Sequence, residues 1–263
     1  MRDSRTECLG DGMQLHFEEW GVGPRVAVLL HGFMGSAESW WRVGPALAAQ
    51  GFRVLALDLP GHGLSPADHE LTVERAGAHI AETVAAQTDR LDLAIGHSFG
   101  GLLLSQSQQA LSPAAVVYVD SPFSVTGGED EAISRAHYEA AVASRTVQRL
   151  REDRPTWSDA ERDVEERAAQ RFDAETAVAL DSSPGGTWLP DVPPRSLMIR
   201  ADPSRFVSGT QSAALRRKGV DICSIGGAAH SVWYSHFDEF MRALQGWLPA
   251  PDTGFASAGR RPD

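Results

Sequence analysis

Short apolar runs alternate with helix-type segments along most of this chain. Residues 25–30, 52–57 and 114–119 are rich in Val, Leu and Ala and offer few polar positions on either face. Such runs are typical of strands that are covered on both sides, as in a parallel sheet with helical crossovers. Eight strand-type segments can be assigned, the first two at 4–9 and 13–20. The pattern predicts an α/β fold: a mostly parallel eight-stranded sheet flanked by helices.

The alternation stops near residue 121 and resumes near residue 191. Residues 122–190 contain no apolar strand-type run and are dominated by Ala, Glu and Arg, which favour helices. We therefore predict a core formed by residues 1–121 and 191–248, interrupted by a helical insertion at 122–190. Residues 249–263 are rich in Pro, Gly, Ala and Ser, which predicts a flexible C-terminal tail.

Composition limits the classes of partner. The formal net charge of −11 over 263 residues disfavours binding to nucleic acid. No apolar run is long enough to span a membrane, and the N-terminus lacks the apolar region of a signal peptide. Cys8 and Cys223 fit no metal-ligand spacing. We expect a soluble, cytoplasmic protein, monomeric or homodimeric, that takes a small-molecule substrate and needs no metal or cofactor.

The strongest chemical signal is Gly-His-Ser-Phe-Gly at residues 96–100. It matches G-x-S-x-G and lies between a predicted strand and a predicted helix, which is the context that this motif requires. A serine on such a tight turn projects its hydroxyl above the sheet, and the flanking glycines avoid collisions within the turn. We predict that Ser98 is a nucleophile.

A serine nucleophile needs a base to accept its proton. In chains with this motif, the acid and then the histidine follow the serine. Of the later histidines, His137 lies in the predicted insertion and His236 lies in an amphipathic final helix. His230 follows the last strand, at the sheet edge where open α/β sheets place their sites. We predict that His230 is the base.

Two aspartates are candidates for the residue that orients His230. Asp202 and Asp120 each come directly after a predicted buried strand. We favour Asp202, with Asp120 as the rival. Either carboxylate would hold the histidine tautomer and stabilise the imidazolium.

An acyl-transfer site also needs hydrogen-bond donors for the oxyanion. One is the backbone N–H after the nucleophile, here Phe99, and the other comes from the loop after an earlier strand. That loop is residues 31–35, His-Gly-Phe-Met-Gly, and we predict the N–H of Phe33 as the second donor. His31 precedes the serine and is expected to shape the loop.

Together these segments resemble the α/β-hydrolase superfamily, in its serine-nucleophile branch of esterases, carbon–carbon hydrolases and enzymes related to the synthase of a menaquinone precursor. The resemblance rests on residues 31–40, 58–65, 96–101, 200–204 and 227–233, which occur in the family's order. It implies Ser98, Asp202 and His230 as the triad and Phe33 and Phe99 as oxyanion donors. It also implies that residues 122–190 form a helical cap domain over the pocket. Relatives that hydrolyse epoxides or haloalkanes use an aspartate at this turn, so serine disfavours those activities.

The leading hypothesis is hydrolysis of a carboxylic ester, lactone or thioester through an acyl-enzyme. Carbon–carbon bond hydrolysis or an elimination on the same triad is the alternative, and a non-enzymatic binding protein of the same fold is a third. A basic pocket for an acidic substrate would favour elimination, although arginines on a cap helix usually face solvent. Its candidate arginines are Arg42, Arg145, Arg149, Arg151 and Arg154.

Several side chains of the loops and the insertion are candidates for the wall of the substrate pocket, although any one of them could instead belong to the core. They are His31, Met34, Trp40, Phe123, Tyr138, Trp157, Trp188 and Trp233.

Overall fold

The computed structural model describes residues 13–190 and 195–248. A seven-stranded sheet with the order β1-β3-β2-β4-β5-β8-β9 forms its centre. Only β1 is antiparallel to its neighbour; all the other pairs are parallel. The strands of this sheet are β1 (Phe17–Trp20), β2 (Arg25–Leu30), β3 (Phe52–Leu57), β4 (Leu93–His97), β5 (Ala115–Val119), β8 (Arg195–Asp202) and β9 (Asp221–Gly226).

This sheet confirms the predicted α/β class. Its central strands β2, β4 and β5 are almost completely buried, as their apolar sequences require. The predicted strand at residues 4–9, which would be the eighth, lies outside the described residues. Because parallel strands end at the same edge, the residues that follow β4, β5 and β9 come together there.

Helices cover both faces of the sheet. They pack on two separate apolar clusters, one on each face. After β2, a 3₁₀ helix at Ala37–Trp40 precedes an α-helix at Val43–Ala48. The α-helices of the core are α1 (Val43–Ala48), α2 (Val73–Ala85), α3 (Phe99–Leu111), α8 (Gly209–Arg217), α9 (Val232–Ser235) and α10 (Phe237–Trp247).

Residues 122–190 lie between β5 and β8 and are largely helical. A short antiparallel pair, β6 and β7, joins the two ends of this insertion and was not expected from its sequence, which has no apolar run there. Ion pairs connect the insertion to the core: Arg167 and Arg171 both contact Glu38, at 2.5 and 3.0 Å. Its elements are β6 (Ser124–Gly127), α4 (Glu131–Ser144), α5 (Val147–Asp153), α6 (Asp159–Gln170), α7 (Ala174–Ser182) and β7 (Pro184–Thr187).

None of the helices in residues 13–190 and 195–248 combines the length and the apolar character of a membrane span. The predicted boundary at residue 191 and the predicted tail at 249–263 fall outside the described residues, as does Cys8.

Candidate active site

Ser98 occupies a strained turn between β4 and α3. Its backbone has φ 50° and ψ −118°, a region that a residue with a side chain adopts at a cost of about 1–3 kcal/mol. Hydrogen bonds hold this conformation: the Ser98 N–H donates to the carbonyl of Val119 at 2.9 Å, and the Ser98 carbonyl accepts from Leu102 at 3.2 Å. The strain is therefore imposed by the sheet and the helix, as expected for a turn that presents a hydroxyl.

Glycines allow the turn to pack this tightly. A Cβ on Gly96 would lie 2.6 Å from the carbonyl oxygen of Gly100. A Cβ on Gly100 would lie 2.4 and 2.5 Å from the carbonyl oxygens of His31 and Leu30. Real Cβ atoms do not approach backbone oxygens so closely. The two motif glycines are thus required by close backbone approach.

Because the turn is packed this tightly, adding a methyl group at Gly100 should destabilise the protein. We expect Gly100→Ala to lower the free energy of unfolding by about 1–3 kcal/mol, because the methyl group overpacks against rigid backbone. Gly209→Ala is the matched control, since it also lies in the first turn of a helix but its Cβ would meet no atom within 4 Å. Urea unfolding followed by circular dichroism measures both. Equal midpoints for the two variants would contradict the packing argument.

His230 and Asp120 form a direct hydrogen bond at the same sheet edge. His230 Nδ1 lies 2.8 Å from Asp120 Oδ2, and Asp120 is only 1% exposed. The other carboxylate oxygen, Oδ1, accepts the N–H of Ala201 at 3.2 Å. Because a carboxylate accepts a proton donated by Nδ1, this contact favours the tautomer in which Nε2 keeps its lone pair. One oxygen of Asp120 therefore orients the histidine, and the other is held by the backbone of Ala201.

Asp202 does not contact His230, so our preference for it is wrong. It is the last residue of β8, but its side chain is 55% exposed and lies 3.6 Å from Arg200. Successive residues of a strand point to opposite faces, and a carboxylate at the correct strand end can still point away from the site. The rival, Asp120, occupies the position beside the histidine.

A second histidine supports the His230 loop. His97 immediately precedes Ser98; its Nε2 lies 3.2 Å from the carbonyl oxygen of His230, and the two rings are 4.6 Å apart. Burial, and then the nearby His230, hold the pKa of His97 well below its ordinary value. His97 is thus neutral and donates to the loop. Its place inside the G-x-S-x-G motif was visible in the sequence, but nothing there indicated this contact.

The loop after β2 passes close to Ser98, because a Cβ on Gly32 would lie 3.2 Å from the Cβ of Ser98. Met34 does not offer its N–H to the site, because that N–H points to His62 Nε2 at 3.2 Å. In the described part of the chain, the N–H groups of Phe33 and Phe99 have no hydrogen-bond acceptor, and the rings of these residues are 5.2 Å apart. Their amides are therefore available to a developing oxyanion.

Two buried histidines shape this loop. His31 Nδ1 donates to the carbonyl of Gly32 at 2.8 Å, and His31 Nε2 accepts from the N–H of Leu59 at 3.0 Å. Burial lowers the pKa of His31, and burial together with His31 lowers the pKa of His62 to about 3. Both rings are neutral. The expectation that His31 shapes the loop agrees with these contacts.

Ser98 and His230 line one cavity of about 790 Å³, which we call the site cavity. It lies between the core and the insertion, since residues of α4 and of the α5–α6 connection form part of its wall. Among the predicted wall residues, Met34, Tyr138 and Trp157 line it, together with Phe33.

The other predicted wall residues lie elsewhere, which corrects those predictions. Trp40 and Trp233 are buried and stack on each other 4.3 Å apart. Phe123 packs against Tyr118, and the indole N–H of Trp188 donates to Glu74 at 3.1 Å. His31 lies under the loop, as described above. Large aromatic side chains stabilise the fold most when their apolar surface is fully buried. The sequence did not distinguish aromatic residues of the core from those of the cavity wall.

The site cavity also contains one further aromatic side chain and three arginines. Phe206 contacts the ring of His230 with 4.0 Å between the ring centres and borders the cavity. Arg145 and Arg154, two of the arginines named as candidates for a basic pocket, border it too, as does Arg205, which was not named. Within residues 13–190 and 195–248, no three His, Cys, Asp or Glu side chains converge as a metal-ligand set. The chemistry at hand is thus a serine hydroxyl, an oriented imidazole and backbone N–H donors.

Known proteins with similar sequences or folds identify the family of this chain. The model of the alpha/beta hydrolase family matches residues 27–243. A dihydrolipoyllysine-residue acetyltransferase component of an acetoin cleaving system from Pseudomonas putida is 38% identical over 133 residues, 49% of this chain and 34% of that protein. A pimeloyl-(acyl-carrier protein) methyl ester esterase from Edwardsiella ictaluri (strain 93-146) is 39% identical over 93 residues, 35% of this chain and 34% of the esterase.

The aligned part of the chain thus spans about a third of these relatives. The crystal structure of E-2-(acetamidomethylene)succinate hydrolase superposes with a TM-score of 0.72 at 18% identity, covering 94% of this chain and 99% of that one. At that identity the superposition shows the shared fold alone. The family model covers most of the chain, and most of the sheet, the strained turn and the loops after β2 and β9 occur in the matched segment. The chain belongs to the alpha/beta hydrolase family.

Proposed function

We propose that this protein hydrolyses a carboxylic ester, or a closely related acyl bond, through a covalent acyl-enzyme on Ser98. The observation that carries the proposal is the His230–Asp120 hydrogen bond at 2.8 Å beside a serine held at φ 50°. A serine hydroxyl is a poor nucleophile until an oriented base accepts its proton. These residues supply the nucleophile, the base and the group that orients the base.

In the first half of the reaction, Ser98 Oγ attacks the acyl carbon and its proton passes to His230 Nε2. The negative charge on the former carbonyl oxygen is stabilised by the N–H groups of Phe33 and Phe99. Asp120 stabilises the imidazolium. When the tetrahedral intermediate collapses, the carbon–oxygen bond to the alcohol breaks and His230 returns the proton to the leaving alkoxide.

In the second half, a water molecule replaces the alcohol. His230 Nε2 accepts a proton from this water, which attacks the ester carbonyl of the acyl-enzyme. Collapse releases the carboxylic acid and restores the Ser98 hydroxyl. In this proposal the insertion acts as the cap, because Tyr138 and Trp157 close one side of the site cavity.

One relative supports this class of reaction. The Edwardsiella ictaluri relative is named as a methyl ester esterase. Arginines border the site cavity, so an acidic substrate would suit an elimination as well as an ester hydrolysis. The name of the esterase relative makes the ester the substrate class that we propose.

Covalent labelling tests the proposal. We expect a fluorophosphonate to form one adduct per chain, because the reagent traps activated serines, and mass spectrometry of tryptic peptides should place it on Ser98. Ser204 lines the same cavity but accepts the N–H groups of Phe206 and Val207, so Ser204→Ala is the matched control and should label normally. Labelling on another residue, or an unlabelled protein that turns over no ester, would overturn the proposal.

A further inference from the structure

Arg145 brings a guanidinium group to the site cavity from the end of α4. It lines the cavity together with Ser98, and its side chain is only 25% exposed. One terminal nitrogen, Nη2, contacts Glu165 Oε2, and the other, Nη1, lies 3.9 Å from the sulfur of Met34. Met34 directly follows Phe33, so this cation lies over the loop that carries the proposed oxyanion donor.

Most of the donors of this guanidinium have no oxygen partner. An arginine carries five N–H donors, and Glu165 is the carboxylate that Arg145 contacts. Nε is inaccessible to solvent and has no hydrogen-bond partner, so a ligand in the cavity does not reach it. Among the described residues, Nη1 has only the sulfur of Met34 beside it, and a thioether sulfur is a weak acceptor. A carboxylate in the cavity would give Nη1 an oxygen acceptor.

Glu165 holds the guanidinium without occupying its remaining donors. Its second oxygen, Oε1, accepts the hydroxyl of Tyr234 at 2.9 Å, and its side chain is 4% exposed. The carboxylate is thus fixed between the insertion and the core. Arg145 is fixed in turn, which reduces the entropy that a ligand would lose in ordering it.

The charges around the site cavity also favour an anion. Of the two carboxylates of the wall, Asp153 is paired with Arg149, and Asp120 is 1% exposed and accepts a hydrogen bond from His230 Nδ1. In the part of the chain that the structure describes, neither Arg154 nor Arg205, which also line the cavity, has a carboxylate within 4 Å. The exposed part of the wall therefore carries cations with no carboxylate beside them, in a chain whose net charge is −11. Such a local field attracts anions to this cavity.

We propose that the acyl part of the substrate carries a carboxylate, which accepts a hydrogen bond from Nη1 of Arg145 while the ester carbonyl lies at Ser98. A hydrogen bond between a guanidinium and a carboxylate is charge-assisted and is about twice as strong as a neutral one. Arg154 and Arg205 contribute attraction at the cavity wall. This inference rests on the proposed function, because Ser98 cleaves the bond that Arg145 positions.

A matched pair of esters tests the inference. Monoethyl succinate has a carboxylate where ethyl isocaproate has an isopropyl group, and the two are otherwise identical. Ethanol release gives kcat/KM for each. We expect the wild-type protein to prefer the anionic ester, and Arg145→Met to lower the ratio of the two kcat/KM values about 10- to 100-fold, the range for a hydrogen bond to a charged group.

Two controls separate substrate recognition from folding. Arg145→Met/Glu165→Gln avoids leaving Glu165 unpaired, and its glutamine can still accept from Tyr234; it should show the same fall in the ratio. Arg151→Met removes an exposed arginine that pairs with Asp159 away from the cavity, and it should keep the wild-type ratio. A wild-type preference for ethyl isocaproate, or an equal loss on both esters in the Arg145 variants, would overturn the inference.

A binding measurement distinguishes failure of this inference from failure of the proposed function. We expect calorimetry to detect succinate binding to the Ser98→Ala protein, and Arg145→Met in that background to weaken it about 10-fold or more. Ester hydrolysis is not needed for this result. The inference that Arg145 recognises a carboxylate would be overturned by succinate binding that does not depend on Arg145, or by tighter binding of inorganic phosphate than of succinate. Either result would hold whether or not Ser98 cleaves esters.

Discussion

Asp120→Asn is expected to lower kcat for an ester substrate by about 10³–10⁴-fold. The asparagine amide can donate to His230 Nδ1, which moves the ring proton to Nε2 and removes the lone pair that must accept the Ser98 proton. The fold should persist, because the side-chain oxygen can still accept the N–H of Ala201. Steady-state kinetics at mildly alkaline pH measures the loss, and circular dichroism verifies the fold.

Asp202→Asn is the matched control for this prediction. Asp202 ends the neighbouring strand β8, but its carboxylate is 55% exposed and lies 3.6 Å from Arg200. We expect less than about a threefold change in kcat, since exposed ion pairs contribute little. A larger loss in Asp202→Asn than in Asp120→Asn would mean that the hydrogen bond of Asp120 is not the one that orients the base.

Ser98→Ala is expected to have the largest effect, a loss of about 10⁵–10⁶-fold in kcat together with the loss of fluorophosphonate labelling. The methyl group cannot form an acyl-enzyme, while the oxyanion donors and the cavity remain. The stability of the protein should change little, since Ser98 makes no side-chain hydrogen bond at the start of α3. Single-turnover kinetics and thermal unfolding measure the two effects.

Ser204→Ala is the control for Ser98→Ala, because it removes a hydroxyl from the same cavity. Ser204 Oγ accepts N–H groups of the loop that carries Phe206, so we expect a small loss of stability and retained ester turnover. Comparable residual activity in the two variants would show that Ser98 does not form the covalent intermediate.

Local sequence patterns were sufficient to predict the sheet and to select two of the three proposed triad residues, Ser98 and His230. The apolar runs of β2, β4 and β5 have few polar positions, and a strand buried on both faces requires that composition. Gly96 and Gly100 flank Ser98 because the backbone around the turn leaves no room for a Cβ. His230 was selected because it follows the last strand directly, and the ends of parallel strands share one edge of the sheet.

The insertion was predicted as helical but not in its detailed contacts. Its exposed strands β6 and β7 have no apolar pattern, since they pair with each other away from the core. The position of Arg145 beside Met34 joins residues 111 positions apart in the chain. Nothing in the composition of α4 distinguishes this arginine from the solvent-facing arginines of α5.

The sequence alone determined the α/β class, the turn at Ser98 and the histidine after the last strand, because each depends on residues that are adjacent in the chain. Tertiary structure decided between Asp120 and Asp202, which look equivalent as polar residues at strand ends. The choice depends on which carboxylate meets a histidine from a distant segment, and His230 lies 110 residues from Asp120. Tertiary structure also decided that Trp40 and Trp233 stack in the core while Tyr138 and Trp157 border the cavity. Burial of an aromatic ring depends on its neighbours in space, which the order of residues does not reveal.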